Sequence, residues 1–256
     1  MKRLIIFCAC WILGVAGVRA AADYLINEDG IERVNPNETY EPFEGFSNDV
    51  AKAENQQFML GFVTSASVFT IKTFDRAGNL TEIASAVVLK PGIAVTCYHA
   101  IHKAWKVTGK LGNGKAVDFV GYMPPMLNND LCLMRYEPSL GRGIVLAVVK
   151  QAMVGEKVYT IGAPEGLGHS LAEGIISAFR EVSGYGMTIQ ITAPISQGSS
   201  GGALLDHKLC LLGIIAFMWK DGQNLNFAIP NDVILDELGY YKTHPNALVP
   251  FPYWQK

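Results

Sequence analysis

From Ser67 to Pro230 the chain is written in short runs of β-branched and aromatic residues, each cut off by Gly, Pro or Asn. Runs of that length and make-up read as strands, and their regular punctuation by turn residues points to antiparallel β architecture. A first set lies at 67–74, 82–89, 92–97, 104–109, 116–122 and 131–135. Tyr136 to Gly143, with Pro138 and two Gly, reads as a linker. A second set lies at 144–149, 157–161, 171–180, 186–191, 203–206, 209–218 and 224–229. Two sets of about six short strands predict an all-β fold of two six-stranded antiparallel β-barrels, over about 67–135 and 144–230, within a domain spanning 67–240. One short C-terminal helix follows. Asn231 is its expected cap, Val233, Ile234, Leu235 and Leu238 form its apolar side, and Gly239 marks its end. The Pro-rich segment 241–256 reads as an irregular tail that packs.

The flanks are of another kind. Lys2 and Arg3 precede an uncharged, mostly apolar run from Leu4 to Val18, and small residues near Ala20 and Ala22 offer a cleavage site. That is the pattern of a secretory signal over 1–22; the run is too short for a spanning helix, which needs about 20 apolar residues. The expected product is exported, periplasmic or secreted, with no stable membrane span after cleavage and a net charge of about −5 once Lys2, Arg3 and Arg19 are removed. Residues 23–66 read as a loose, acidic N-terminal extension with a short helix at 47–58 capped by Ser47 or Asn48. The whole chain is half apolar and 17% charged, ordinary for a globular protein, with no basic stripe, which argues against a nucleic-acid partner. Asn37 and Asn79 head glycosylation acceptor triplets that matter only on a eukaryotic secretory route.

Cleavage leaves three cysteines, Cys97, Cys132 and Cys210, an odd number that cannot all pair within the chain. Cys97 and Cys132 lie in apolar strand patterns, so buried free thiols are expected there. No metal-ligand spacing and no phosphate-binding loop is present, so no cofactor or metal is expected.

The chemistry-bearing residues lie at strand ends and tight turns. In Gly198-Ser199-Ser200-Gly201-Gly202 the Gly residues let the backbone turn sharply, expose a hydroxyl and aim N–H groups at a developing oxyanion. His99 ends an apolar strand, whereas His102, His169, His207 and His244 sit in bland contexts. Asp130 opens an apolar strand, where a carboxylate needs a polar partner. His99, Asp130 and Ser200 follow the chain order of the chymotrypsin-type triad. A nucleophile elbow at Gly198-x-Ser200-x-Gly202, with Asp221 or Asp236 and His244, is the α/β-hydrolase alternative, but only 56 residues follow Ser200 and no alternating helices precede it.

Five ordered blocks carry a family resemblance: Thr96 to Ala100, Asn129 to Leu133, Ile161 to Gly168, Gly198 to Leu205, and Asn226-Phe227-Ala228-Ile229-Pro230. From about Ser67 to Pro230 the chain resembles the trypsin-like domain of the HtrA (DegP) serine proteases. The resemblance implies a serine endopeptidase acting on polypeptide substrates through a Ser-His-Asp triad and an acyl-enzyme. Ser200 would be the nucleophile, His99 the base and Asp130 its orienting acid. The N–H groups of Gly198 and Ser200, with Ser199, would form the oxyanion hole. By family position Ile195, Ala216, Phe217 and Met218 would line the substrate pocket, with Pro194 in place of an acid, so small to medium apolar side chains are expected at the cleavage site. A homo-oligomer is also implied, with residues 45–65 as the segment that would hold it. Departures are Ser199 where the family has Asn, Ala84-Ser85-Ala86 for Gly-Ser-Gly, and Ile215-Ala216 for Asn-Thr, which removes a hydroxyl that supports the Asp. No PDZ domain is expected in the 26 residues after Pro230. The alternative to a working peptidase is a catalytically weak, protease-like domain that binds protein.

Overall fold

The computed structural model describes residues 24–27, 30–33, 60–61, 63–125, 129–137, 141, 152–164, 168–219, 224–244 and 246–254. The expected signal segment, the helix expected at 47–58 and the strand expected at 144–149 lie outside them. Within the expected extension, β1 (Tyr24–Asn27) and β2 (Gly30–Arg33) pair as a small antiparallel ribbon. A helical segment at 60–61 and 63–67 then leads into the first barrel.

The first barrel contains β3 (Val68–Phe74), β4 (Leu80–Lys90), β5 (Ile93–Cys97), β6 (Lys106–Leu111), β7 (Ala116–Met123) and β8 (Leu131–Glu137). They run in the order β7-β6-β3-β4-β5-β8, and pairing of β7 with β8 closes the ring. Alternation decides which side chains fill it. Phe69 and Ile71 of β3 point inward while Lys72 points out. Phe69, Phe119 and Tyr136 meet edge to face with centroids 5.2 to 5.5 Å apart, so three rings occupy the middle of the barrel in favourable geometry.

The second barrel contains β9 (Lys157–Gly162), β10 (Ser170–Val182), β11 (Gly186–Ile191), β12 (Ala203–Asp206), β13 (Leu211–Met218) and β14 (Asn226–Pro230), closed in the order β10-β11-β14-β13-β12-β9. The strands are antiparallel throughout, and helices do not alternate with them among the described residues, which removes the α/β-hydrolase alternative. Two six-stranded barrels and a short C-terminal helix are as expected. One buried cluster runs across both barrels: Val87, Val95 and Leu131 pack with Ile161, Leu205, Ile214 and Ile229. The barrels therefore share apolar burial, and the seam between them is held from beneath.

The helix spans Asn231–Thr243 and lays Ile234 and Leu238 onto that shared cluster. Two details differ from expectation. Asn231 is not the cap; Pro230 holds that position, and the Asn231 amide is buried, donating to the Leu211 carbonyl. Gly239 does not end the helix, which carries on for another turn to His244. The tail is also more ordered than expected. β15 (Val249–Pro250) pairs with β7, Phe251 is wholly buried in the first-barrel core, and Phe251 N–H donates to the Val120 carbonyl at 3.1 Å. The Trp254 indole N–H donates to the Phe119 carbonyl at 3.0 Å. These contacts of residues 249–254 are made to the first barrel, so the segment straps across it.

Phe251→Ala empties a site in a packed core, and its denaturation midpoint should reveal a loss of about 3–5 kcal/mol. A midpoint close to that of the parent protein would mean that the tail does not hold the first barrel closed.

Candidate active site

Strand register brings the first two groups together. β5 pairs antiparallel with β8, and Cys97 lies opposite Leu131. The residues just after β5 and just before β8 are therefore neighbours. A single 3₁₀ turn, Tyr98–Ala100, swings His99 back over that end. Asp130 sits there with φ of 62°, a left-handed conformation that Asp tolerates better than most residues. Three bonds hold it in place. Its carbonyl accepts the Tyr98 N–H at 2.7 Å, one carboxylate oxygen accepts the His99 N–H at 2.8 Å, and the other meets His99 Nδ1 at 2.5 Å.

A carboxylate at Nδ1 fixes the imidazole as the Nδ1–H tautomer and leaves Nε2 to accept a proton. It also favours the protonated ring. The Asp130 hydrogen bond raises the His99 pKa above its ordinary value, opposed by partial burial and assisted by the charges of Asp130 and Glu82. Glu82 itself is pushed up by burial, against the influence of His99 and His102.

Ser200 lies in the turn between β11 and β12 of the other barrel. Its two ends are tied across the seam and within the second barrel. The Ser200 carbonyl accepts the Ser85 N–H from β4 at 2.8 Å, and the Gly201 N–H donates to the Ile215 carbonyl at 2.7 Å. Gly201, at φ of 83°, allows this approach: a Cβ there would stand 2.0 Å from the Ser85 carbonyl oxygen and 2.3 Å from Thr96 Oγ1. Gly198 is also left-handed, at φ of 94°. Ser199 N–H is spent on the Ser196 carbonyl at 2.9 Å, whereas the N–H groups of Gly198 and Ser200 have no acceptor among the described residues. Of the three expected oxyanion donors, these two stand free and the Ser199 N–H is engaged. The Ser200 hydroxyl donates to the Ala216 carbonyl at 3.0 Å; among the described residues it is not hydrogen-bonded to His99.

Around this centre, Ile195 is half-buried in the stretch leading to the nucleophile turn, Ala216 is buried, and Met218 is exposed at the end of β13. Phe217 is sandwiched between Tyr185 and Phe227, at 4.3 and 4.8 Å between centroids. The Cys97 thiol, a His99 ring nitrogen and an Asp130 oxygen lie within 4.8 Å of one another. Burial holds the thiol protonated, Cys97 Sγ donates to the Ile215 carbonyl at 3.3 Å, and the imidazole and carboxylate already bind each other, so the trio is ill suited to a metal ion. Cys97, Cys132 and Cys210 are buried thiols outside any disulfide, as expected for the first two.

Sequence reasoning passed over Ser85 as a site residue. It is a fully buried Ser whose hydroxyl donates to the Gly198 carbonyl at 2.8 Å and accepts the Ala163 N–H at 2.9 Å. Its signal was a lone hydroxyl inside the apolar run Ile83 to Leu89, where a polar group must find a partner. Tyr185 was also missed, for its contact with Phe217 joins residues far apart in the chain.

Two closed six-stranded barrels, with a His–Asp pair on one and a glycine-framed Ser turn on the other, define the trypsin-like peptidase class. Residues 84–214 match the trypsin-like peptidase domain family, more than half of the chain. The serine endoprotease DegS of Haemophilus influenzae is 30% identical over 249 residues, covering 93% of this chain and 71% of its own length. The periplasmic serine endoprotease DegP of Salmonella typhimurium is 34% identical over 153 residues, 56% of this chain and 32% of DegP. The solved HtrA-type protease AlgW, with a tripeptide, superposes with a TM-score of 0.63 at 28% identity, covering 73% of this chain and 64% of AlgW. The chain belongs to the trypsin-like peptidase family, among its HtrA/DegP-like members. It spans 24 to 40% of the length of the first curated relatives it matches.

Proton NMR of the ring should find His99 titrating above the ordinary imidazole value of about 6.5, and Asp130→Asn should bring it down. The linkage has a definite sign. A pKa raised by folding contributes stability below the unfolded value, and that contribution disappears as pH climbs through the folded one. A His99 titration unmoved by Asp130→Asn would contradict the pairing.

Proposed function

We propose that this chain is a serine endopeptidase that cleaves exported or unfolded polypeptides by way of an acyl-enzyme. Ser200 attacks the scissile carbonyl, His99 Nε2 takes its proton and later passes it to the leaving amine, and Asp130 holds the imidazole and stabilises its charged form. The observation that carries this reading is the pair of N–H groups at Gly198 and Ser200, unengaged among the described residues, on a turn that the first barrel grips through the Ser85 N–H, while that same barrel carries the Asp130–His99 pair. They suit an oxygen on which negative charge develops. In the resting arrangement the hydroxyl rests on the Ala216 carbonyl, so a turn of the Ser200 side chain toward His99 precedes attack. Ile195, Ala216, Phe217 and Met218, with no acid among them, support cleavage after small to medium apolar residues. Export through residues 1–22 accords with periplasmic relatives, and no described helix is long and apolar enough to cross a membrane. Residues 67–240 are the peptidase domain of this reading, and a homo-oligomer held by residues 45–65 belongs to it.

A second reading, a binding domain with weak or no turnover, draws on the same Ser200–Ala216 bond and on the missing hydroxyl at 216. A fluorophosphonate probe separates the two, since only an activated Ser200 becomes labelled.

With unfolded casein as substrate, Ser200→Ala should turn over roughly 10⁵- to 10⁶-fold more slowly than the parent. Digestion that survives the substitution would remove Ser200 from the mechanism. Because the base must be neutral, kcat/KM should fall as pH drops through the raised His99 pKa, with the acid limb above the ordinary value of about 6.5. A limb well below that value would place the base elsewhere.

A further inference from the structure

We infer that Ser85 is a positioning residue that sets the two oxyanion donors, a role that rests on the peptidase reading above. Each peptide unit around the nucleophile can be followed by its partners. Between 198 and 199, the Gly198 carbonyl accepts the Ser85 hydroxyl at 2.8 Å and the Ser199 N–H donates to Ser196. Between 199 and 200, the Ser199 carbonyl accepts the Gly202 N–H at 2.9 Å, and the Ser200 N–H is left over. Between 200 and 201, the Ser200 carbonyl accepts the Ser85 N–H and the Gly201 N–H donates to Ile215. Ser85 thus holds the carbonyl on the far side of each free donor, one with its side chain and one with its backbone.

The hydroxyl has one proton, and Gly198 receives it. A lone pair then accepts the Ala163 N–H at 2.9 Å, just beyond β9. The Ser85 carbonyl is used as well, by Thr96 Oγ1 at 2.6 Å. Every polar group of this fully buried residue is therefore engaged, and it belongs to the barrel that carries His99, not the one that carries Ser200. It transmits the position of the first barrel to the donor turn of the second. Without the hydroxyl, the Gly198 carbonyl and the Ala163 N–H lose a shared buried partner, and the 198–199 peptide keeps only its tether to the Ser196 carbonyl, so its carbonyl end can swing. The Gly198 N–H, two rotatable bonds from that carbonyl, moves with it. Donors preset in position are the usual source of oxyanion stabilisation, so the loss should fall on the chemical step and not on substrate binding.

The test uses the full chain with a fluorogenic casein, a fluorophosphonate probe and thermal melting. Ser85→Ala should fold, keep KM within about two-fold, lose roughly 10- to 100-fold in kcat, and label more slowly by a similar factor. Its acid limb should stay where the parent's lies, because Ser85 does not touch the His99–Asp130 pair. Ser85→Thr, which keeps the hydroxyl, should recover most of the rate. Should Ser85→Ala fail to fold, Ser85→Cys repeats the measurement with a weak donor in the same place, and the same fall in kcat supports the role. A folded Ser85→Ala or Ser85→Cys with parental kcat overturns it, as does a loss confined to KM. If neither folds while Ser85→Thr does, the residue serves stability and the role is again overturned. Parent protein that never labels strikes the peptidase reading itself, a result visible before any Ser85 variant is made.

Discussion

The Ser85 N–H reaches from one closed barrel to the Ser200 carbonyl of the other, and the arrangement of the site depends on that crossing bond. Neither barrel contains all three candidate residues. His99 and Asp130 stand at the end of β5 and the start of β8, while Ser200 stands on a turn between β11 and β12. A shared apolar cluster brings the barrels together, but burial is non-directional and cannot set a seam to a few tenths of an ångström. Hydrogen bonds do that, helped by Gly201, where a side chain would collide with the Ser85 carbonyl. The same few atoms therefore decide both how the barrels dock and where the hydroxyl lies.

Electrostatically the site is asymmetric. Asp130 is fastened by two backbone donors' worth of contacts and one imidazole, at the expense of a left-handed backbone. On the far side, Ala216 presents only a carbonyl, where the family resemblance calls for a Thr hydroxyl. Support for the carboxylate thus comes from the 98–99 turn and not from β13. Cys97, between the two halves, stays a thiol because burial and the neighbouring carboxylate both disfavour its charge. Its Sγ–H instead caps the Ile215 carbonyl, which also receives the Gly201 N–H.

Strand positions in this chain are legible from local pattern, because Gly, Pro and Asn punctuate the runs and alternation marks an inside and an outside. The observed strands fall within a few residues of the expected ones wherever both are described. His99, Asp130 and Ser200 are legible for a different reason: each residue type is out of place in its own surroundings, at a strand end or in a glycine turn. Long-range partners leave no such mark. Nothing near Asn231 says that its amide will reach the Leu211 carbonyl instead of capping the helix. Ser85 stands out only as a hydroxyl among aliphatics, and its four partners lie 11 to more than 100 residues away. Val249–Pro250 is too short to show a period, yet it adds a strand to β7.

The strap at the end of the chain has a consequence for order of assembly. Phe251 fills the core of the barrel that is translated first, after the whole of the second barrel has intervened. A chain emerging from its N-terminus would carry that first barrel unfinished, short of one aromatic side chain of its core, until residues 249–254 had been made. The half that bears the His–Asp pair is thus the later of the two to be completed, after every strand of the barrel that bears Ser200.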